Sequence, residues 1–445
     1  QRNDGLKHAT VLGSSSAPYD LSLHDHNGNT TLRNTANSYL ISAPGHYRIP
    51  LVYGNAIENG VTNDKSYISH APTGNPTVLY NFKDHAGHNI DNPWIEKTNG
   101  GANASVDGAE VVWADAANLV SSLSIAHDGG DTFLDFEVKE SDIQSGNAVV
   151  AVKKGSTIVW SWHLWFAPKD ALDKIPVTNH QGVVYNFTKE ALGWKPTQWS
   201  GSPYDKPRTV KVKVEQTVAN NGTKAYTVIN ITQNPGNVRK GVTTFYQFGR
   251  KDAFPGVEAS DLAANSHFTE NAGDNMSIMN GILNPGKFYT YGSNWSSNYS
   301  YYNLWSADNT TTGFNDNSVV KTVYDPCPAG FKMPASNAFT GFTTTGQDGG
   351  ATNVDGTRDW QTYQSNFGHN FWTNSSKTAA INFPASGYLH YSNGSLNGVG
   401  DSGCYWSAVP KYSSDGCYLF FNSSYVKTLN ENYRTYGFAA RPVSE

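Results

Sequence analysis

The sequence predicts a mainly β protein, β-sandwich-like in its upstream part and rich in loops toward its C-terminal end. Three observations carry this. Short apolar runs with two-residue alternation recur between turn residues, and helical periodicity is sparse. Gly, Asn, Ser, Thr and Tyr are abundant, while only 16% of residues are charged and only 3 are Met. Turn formers and aromatic strand formers dominate, as in extracellular β proteins. At 445 residues the chain is too long for one core, and two or three domains are expected.

Taken in order, residues 1–35 are polar and turn-rich, with one apolar patch at Ala9-Thr10-Val11-Leu12. They read as the end of a preceding domain or a segment that docks on the next one. Residues 37–42 and 47–52 are strand-like and flank the turn Ala43-Pro44-Gly45. Residues 111–113, 132–138 and 148–152 come next as short strands between Gly/Asp turns. In residues 157–166, Trp160, Trp162, Leu164 and Phe166 share one face, and Ser161, His163 and Trp165 the other. A strand apolar on both faces belongs between layers or at a domain junction. His163 has no nucleophile or orienting carboxylate near it in sequence and reads as a hydrogen-bonded structural histidine.

Residues 209–215 and 226–232 alternate on either side of Asn220-Asn221-Gly222, which predicts a hairpin. One of its faces is charged, so the ribbon is expected in solvent or at an edge. Residues 337–342 and 359–367 are the best candidates for short helices.

Residues 381–443 alternate apolar pieces with dense Tyr, Asn, Ser, Asp and Gly. Flat amphipathic rings with adaptable hydrogen bonds are the composition of binding loops. Ordinary polar loops on a β surface share it. The aromatics Trp295, Tyr299, Tyr301, Tyr302 and Trp305 admit both ligand contact and core packing, with Trp305 and Trp406 assigned to the core.

Several chemistries lack support. The net charge of −5 gives no electrostatic reason to expect nucleic acid. No apolar run approaches a membrane span, and no leader precedes Gln1, so a mature or trimmed start is expected. Cys327, Cys404 and Cys417 lack zinc spacing; one disulfide with one thiol left over, or three free thiols, both fit. No Gly-x-Ser-x-Gly elbow or carboxylate-pair motif supports catalysis, and the chain is read as a non-enzyme. No cofactor is expected. Calcium is the one candidate, at the oxygen-rich turns Asp128-Gly129-Gly130-Asp131, Asn315-Asp316-Asn317 and residues 348–355, none a complete calcium loop.

Five ordered motifs resemble the major paralogous (FISUMP) domain. They are Tyr246-Gln247-Phe248-Gly249-Arg250-Lys251-Asp252, Tyr324-Asp325-Pro326-Cys327-Pro328, Phe383-Pro384-Ala385-Ser386-Gly387-Tyr388, Tyr405-Trp406-Ser407-Ala408 and Gly437-Phe438-Ala439-Ala440-Arg441-Pro442-Val443. That domain is common in surface lipoproteins and fimbrillin-type proteins of Bacteroidales. The resemblance covers roughly residues 180–445. It implies an N-terminal segment 1–35, a β-sandwich-like domain 36–178, and an α+β C-type-lectin-like, ligand-binding domain 179–445 containing the hairpin 209–232. It also implies a cell-surface setting, outer-membrane-associated or fimbrial, with no membrane span in this chain.

In fimbrial members the expected role is adhesin at the pilus tip, joined to neighbouring pilin subunits by strand donation and binding a glycan or protein on another cell, host or bacterial. Pro442 stands where relatives place Cys, which leaves the partner of Cys327 open. The fold's formylglycine-generating enzyme branch needs a reactive cysteine pair, and Cys404 and Cys417 do not form its motif.

The late loops also resemble those of proteins varied by diversity-generating retroelements, whose lectin-like domains convert Asn codons to Tyr, Ser, Asp, Gly, Cys or His. On that resemblance the ligand-binding positions are His390, Tyr391, Ser392, Asn393, Ser402, Cys404, Tyr412, Ser413, Ser414, Asp415, Cys417, Asn422, Ser423, Tyr425, Asn432 and Tyr433. Two other readings remain: a non-catalytic glycan-binding surface lipoprotein, and a purely structural pilus component.

Overall fold

The computed structural model describes residues 1–197, 208–233, 240–291 and 295–445. These are mostly β-strands with a few short helices. Upstream lie two four-stranded sheets. One runs in the order Tyr19–Asp20, Gly45–Pro50, Asp131–Val138, Ser121–Asp128; the other Ser38–Ile41, Thr157–Phe166, Gly146–Lys154, Gly108–Ala114. Ile49, Leu134 and Phe136 of the first and Val150, Trp160 and Leu164 of the second are buried in one cluster, as in a two-layer sandwich.

The Ala43-Pro44-Gly45 turn does not join sheet neighbours: it carries the chain from one sheet to the other. Gly45 is required there, since a Cβ would lie 2.0 Å from the Leu12 carbonyl oxygen. The first 35 residues dock on the sandwich and on the region beyond it. Tyr19–Asp20 pairs in parallel with Tyr47 and Arg48, and the Arg2 guanidinium donates to both Glu190 carboxylate oxygens at 2.7 and 2.8 Å.

From Val159 to Phe166 the aromatic strand is wholly buried, as its two apolar faces predict. His163 lies between Ser38 Oγ, 3.0 Å, and Asn147 Oδ1, 2.8 Å. Desolvation lowers its pKa to about 3, so it is a neutral structural side chain.

Downstream, one sheet joins Lys174–Thr178, Val184–Thr188, Val443–Ser444 and Phe331–Lys332. Residues 174–178 therefore pair within the C-terminal region, upstream of the boundary expected at 178. The reason is long-range packing: Val177 shares a buried cluster with Phe187 and Phe339. The larger sheet runs Leu396–Asn397, Tyr388–Leu389, Gly437–Ala439, Gly403–Pro410, Asp415–Phe421, Val426–Tyr433, with Phe245–Gln247 added beside Gly437–Ala439. Both expected helical segments form. Ser336–Phe342 is 3-10, and Trp360–Asn366 is an α-helix whose N-cap Asp359 carboxylate accepts from Thr362 N at 2.8 Å.

The two regions share their core. Trp160, Phe248, Trp305 and Trp406 belong to one buried cluster. Asn37 Nδ2 donates to the Val323 and Asp325 carbonyls at 2.7 and 2.8 Å, and Trp113 Nε1 to the Ala253 carbonyl at 3.0 Å.

The hairpin Arg208–Glu215/Tyr226–Gln233 forms with Val212 opposite Ile229. Asn221 and Gly222 take the positive φ values, 51° and 78°, that its tight turn needs. Exposure is not confined to the charged face: the apolar face is exposed too.

Candidate functional site

The motif residues that carry the family resemblance are mostly scaffold. Arg250 is fully buried and donates to the Gly281, Asn284 and Lys287 carbonyls at 2.9, 3.0 and 2.8 Å, and to Asp252 Oδ2 at 3.0 Å. Lys251 Nζ reaches across to Ser161 O and Oγ, 2.9 and 2.8 Å, and to Asp252 Oδ1 at 3.2 Å. Burial lowers the Lys251 pKa to about 8, partly offset by Asp252. His85 completes this knot, with Nε2 at 2.9 Å from Ser161 Oγ and Nδ1 on the Ile282 carbonyl; burial takes its pKa down to about 3. Arg441 ties the last motif down through the Thr188, Asn382 and Lys189 carbonyls at 2.7, 3.0 and 2.6 Å.

On this floor stands a cluster of surface rings. Tyr391 is its centre, with ring centroids 5.3 Å from Tyr291, 5.5 Å from Tyr433, 4.9 Å from Tyr436 and 4.7 Å from His390. Tyr291 and Tyr433 are half exposed, 53% and 50%, while Tyr391 and Tyr436 are partly covered by their neighbours. The Tyr436 phenol is pushed up to about 12 by burial, so it is a neutral hydrogen-bonding group at physiological pH. Tyr436 in turn stacks on buried Phe438 at 5.1 Å.

Backbone bonds hold the loop that carries Tyr391. Tyr291 N donates to the Tyr391 carbonyl at 2.7 Å, and Gly394 N to the His390 carbonyl at 2.8 Å. Gly394 has φ +75°, and a Cβ there would lie 1.8 Å from the Glu270 carbonyl oxygen, so only glycine closes this turn. The Ser392 backbone N–H donates to His390 Nδ1 at 3.2 Å, which leaves the neutral ring's proton on Nε2.

A second loop, residues 411–415, meets the same end of the sheet because Asp415 pairs with Tyr433. Buried Arg434 pins it: its backbone N donates to the Ser414 carbonyl at 2.9 Å and its Nη2 to the Tyr412 carbonyl at 3.0 Å. Arg434 Nη1 also reaches the Tyr299 and Tyr301 carbonyls at 2.9 and 2.7 Å, which makes residues 299–301 part of the floor. Tyr412 stands out from this corner, 55% exposed, and Asp415 Oδ1 is a buried acceptor with no protein partner among the described residues.

The structure thus brings together His390, Tyr391, Ser392, Asn393, Tyr412, Ser413, Ser414, Asp415, Asn432 and Tyr433. It does not bring the others. Asn422, Ser423 and Tyr425 form the turn at the opposite end of the Asp415–Phe421/Val426–Tyr433 pair, about 20 Å away at ~3.3 Å per residue. Ser402, Cys404 and Cys417 are buried, a correction to their expected place on a binding surface. Cys404 and Cys417 sit on strands covered on both faces, and Ser402 is shut in at the start of the first of them. All three cysteines are free, and burial raises their thiol pKa values, that of Cys417 to about 12, so they are unreactive.

Sequence reasoning missed Tyr291 and Tyr436. The only signal was a tyrosine set among Thr, Gly and Ser; which loop it would meet, a hundred residues on, was not readable. The candidate calcium turns are used otherwise. Asp316 accepts from Tyr185 OH, Asn179 Nδ2 and Asn337 Nδ2 at 2.6, 2.8 and 3.0 Å, and Asp348 Oδ1 from Leu429 N at 2.9 Å. Among the described residues no three His, Cys, Asp or Glu side chains are grouped to hold a metal. No helix there is long and apolar enough to cross a membrane.

What fold and site define together is a β-rich protein that displays a tyrosine-centred face on a locked floor. Residues 368–443, which carry most of that face, match a family profile described as a domain of unknown function (DUF8237). No curated protein and no solved structure matches the chain.

Proposed function

We propose that this chain is a non-catalytic adhesin, displayed at the cell surface, whose ligand docks on the face built by Tyr291, Tyr391, Tyr412 and Tyr433. The observation that carries the reading is the contrast at that end of the sheet: exposed tyrosine rings on a floor fixed by Arg434, Arg441 and glycine-only turns. Tyrosine gives a large contact area at low entropic cost, and the surrounding Ser and Asn add adaptable hydrogen bonds. The C-terminal region is read as C-type-lectin-like. Supporting this, its early strand Val184–Thr188 pairs with its last, Val443–Ser444, and irregular loops ride on a small sheet. On the family resemblance the setting is a pilus tip, with strand donation from a neighbouring subunit and retroelement-driven variation of the loop tips.

The test is binding of the full chain to glycan arrays and to intact bacterial and host cells, beside a Tyr291→Ala/Tyr391→Ala/Tyr433→Ala variant. Loss of tenfold or more in affinity, about 1.4 kcal/mol, is expected. Equal binding by both proteins removes this face from the account.

A further inference from the structure

The hairpin Arg208–Glu215/Tyr226–Gln233 is an amphipathic ribbon whose apolar side is left uncovered by the described residues. Its register sets Val210 opposite Ile231, Val212 opposite Ile229 and Val214 opposite Thr227, so these Val and Ile side chains share one face, while Val228 and Tyr226 lie on the other. Those five Val and Ile residues are 39–62% exposed. Lys211, Lys213 and Glu215 point to the other face, where Lys213 Nζ lies 3.1 Å from Glu215 Oε1 and 4.4 Å from the Tyr226 ring centroid. A two-stranded ribbon alone in water is marginally stable; a further layer on its apolar face makes such a unit stable.

Charge distribution decides what that layer is. Between Val210 and Val214 and between Ile229 and Ile231 the apolar face carries no charged side chain, with Arg208 on the same face only at its outer end, so its middle offers nothing to an acidic or basic partner. It is instead complementary to itself. Two copies related by a twofold axis would set Val and Ile against Val and Ile and leave all four lysines in water. At these exposures each copy contributes roughly 400 Å² of apolar surface, so a pair falls below the ~1,200 Å² of a standard stable interface. That is the size of a reversible contact.

We propose that two copies of this chain associate reversibly through the apolar faces of their hairpins, forming a four-stranded, two-layer unit. The association is independent of what the tyrosine face binds. If that face is a ligand site, the pair would present two of them and gain by effective concentration.

Sedimentation equilibrium of the full chain tests this. From about 2 to about 200 µM, the range of a micromolar contact, wild-type mass should rise from 48.5 kDa toward twice that value. Val212→Lys/Ile229→Lys, opposite each other on the apolar face, should stay monomeric throughout, with an unchanged thermal transition because the ribbon lies outside the core. Lys211→Ser, on the outer face, should behave as wild type. A wild-type chain that is monomeric at 200 µM overturns the proposal, and so does a dimer that survives Val212→Lys/Ile229→Lys. In the monomeric case limited proteolysis names the alternative: a protected ribbon is covered by its own chain, and a rapidly cleaved one awaits a different protein.

Discussion

Tyr433 and Arg434 are neighbours in sequence and opposites in structure. One ring is half in solvent; one guanidinium is 1% exposed and bonded to three carbonyls. The same contrast separates the whole tyrosine face from the floor of Arg250, Asp252 and Arg441. Floor residues are held by partners that no other side chain can satisfy, because a buried donor or charge without its partner is costly. Face residues touch mainly each other and water, so their identity is free to change without cost to the fold.

Acid should strike the buried histidines. His85 and His163 have pKa values lowered to about 3, and His369 to about 4, all by burial. Their folded pKa values lie below the unfolded value of ~6.5, so the unfolded chain binds more protons between these limits. Stability is therefore full above pH ~6.5 and falls as pH drops toward 4. Each histidine contributes a slope of up to ~1.4 kcal/mol per pH unit. Urea titrations at pH 7, 6 and 5 check this; a pH-independent midpoint would mean that these histidines are not buried neutral.

Asp252→Ala comes next. It leaves Arg250 and Lys251 buried without their carboxylate and should cost about 3–5 kcal/mol, read as a shift in denaturant midpoint. Arg434→Met should cost less, about 2–3 kcal/mol, because it unpairs carbonyls but leaves no stranded charge. It should also loosen the Tyr412 corner, seen as faster amide exchange over residues 411–415.

The smallest effects belong to the face. Tyr291→Ala/Tyr391→Ala/Tyr433→Ala should change stability by less than about 1 kcal/mol while weakening the proposed ligand binding about tenfold or more. Tyr425→Ala, at the other end of the sheet, should change neither. If the face varies between sibling cells, sequencing should find changes at Tyr391, Tyr412 and Tyr433 and none at Arg434 or Arg441. Uniform sequences at those tyrosines would sink the variation idea.

Local patterns were readable from the sequence. Period-two alternation locates the strand at 157–166, residues 359–367 stand out as a short helix, and Asn-Gly announces the hairpin turn. Non-local facts were not. Pairing of Asp415 with Tyr433 decides that residues 412 and 433 are neighbours and that Tyr425 is not, and nothing short-range encodes that register. Cys404 and Cys417 count as binding positions only on the retroelement resemblance, although each opens an apolar run; coverage of both sheet faces puts them inside. The strand Lys174–Thr178 went to the wrong side of the boundary for the same reason: its partners lie downstream.

The core that runs unbroken from Trp160 to Trp406 has a thermodynamic corollary. Upstream and downstream halves should melt together, as one endotherm whose van't Hoff and calorimetric enthalpies agree. A fragment cut near residue 179 would bare indole and carbonyl surfaces that the intact chain never shows to water, and should come out of solution as aggregate.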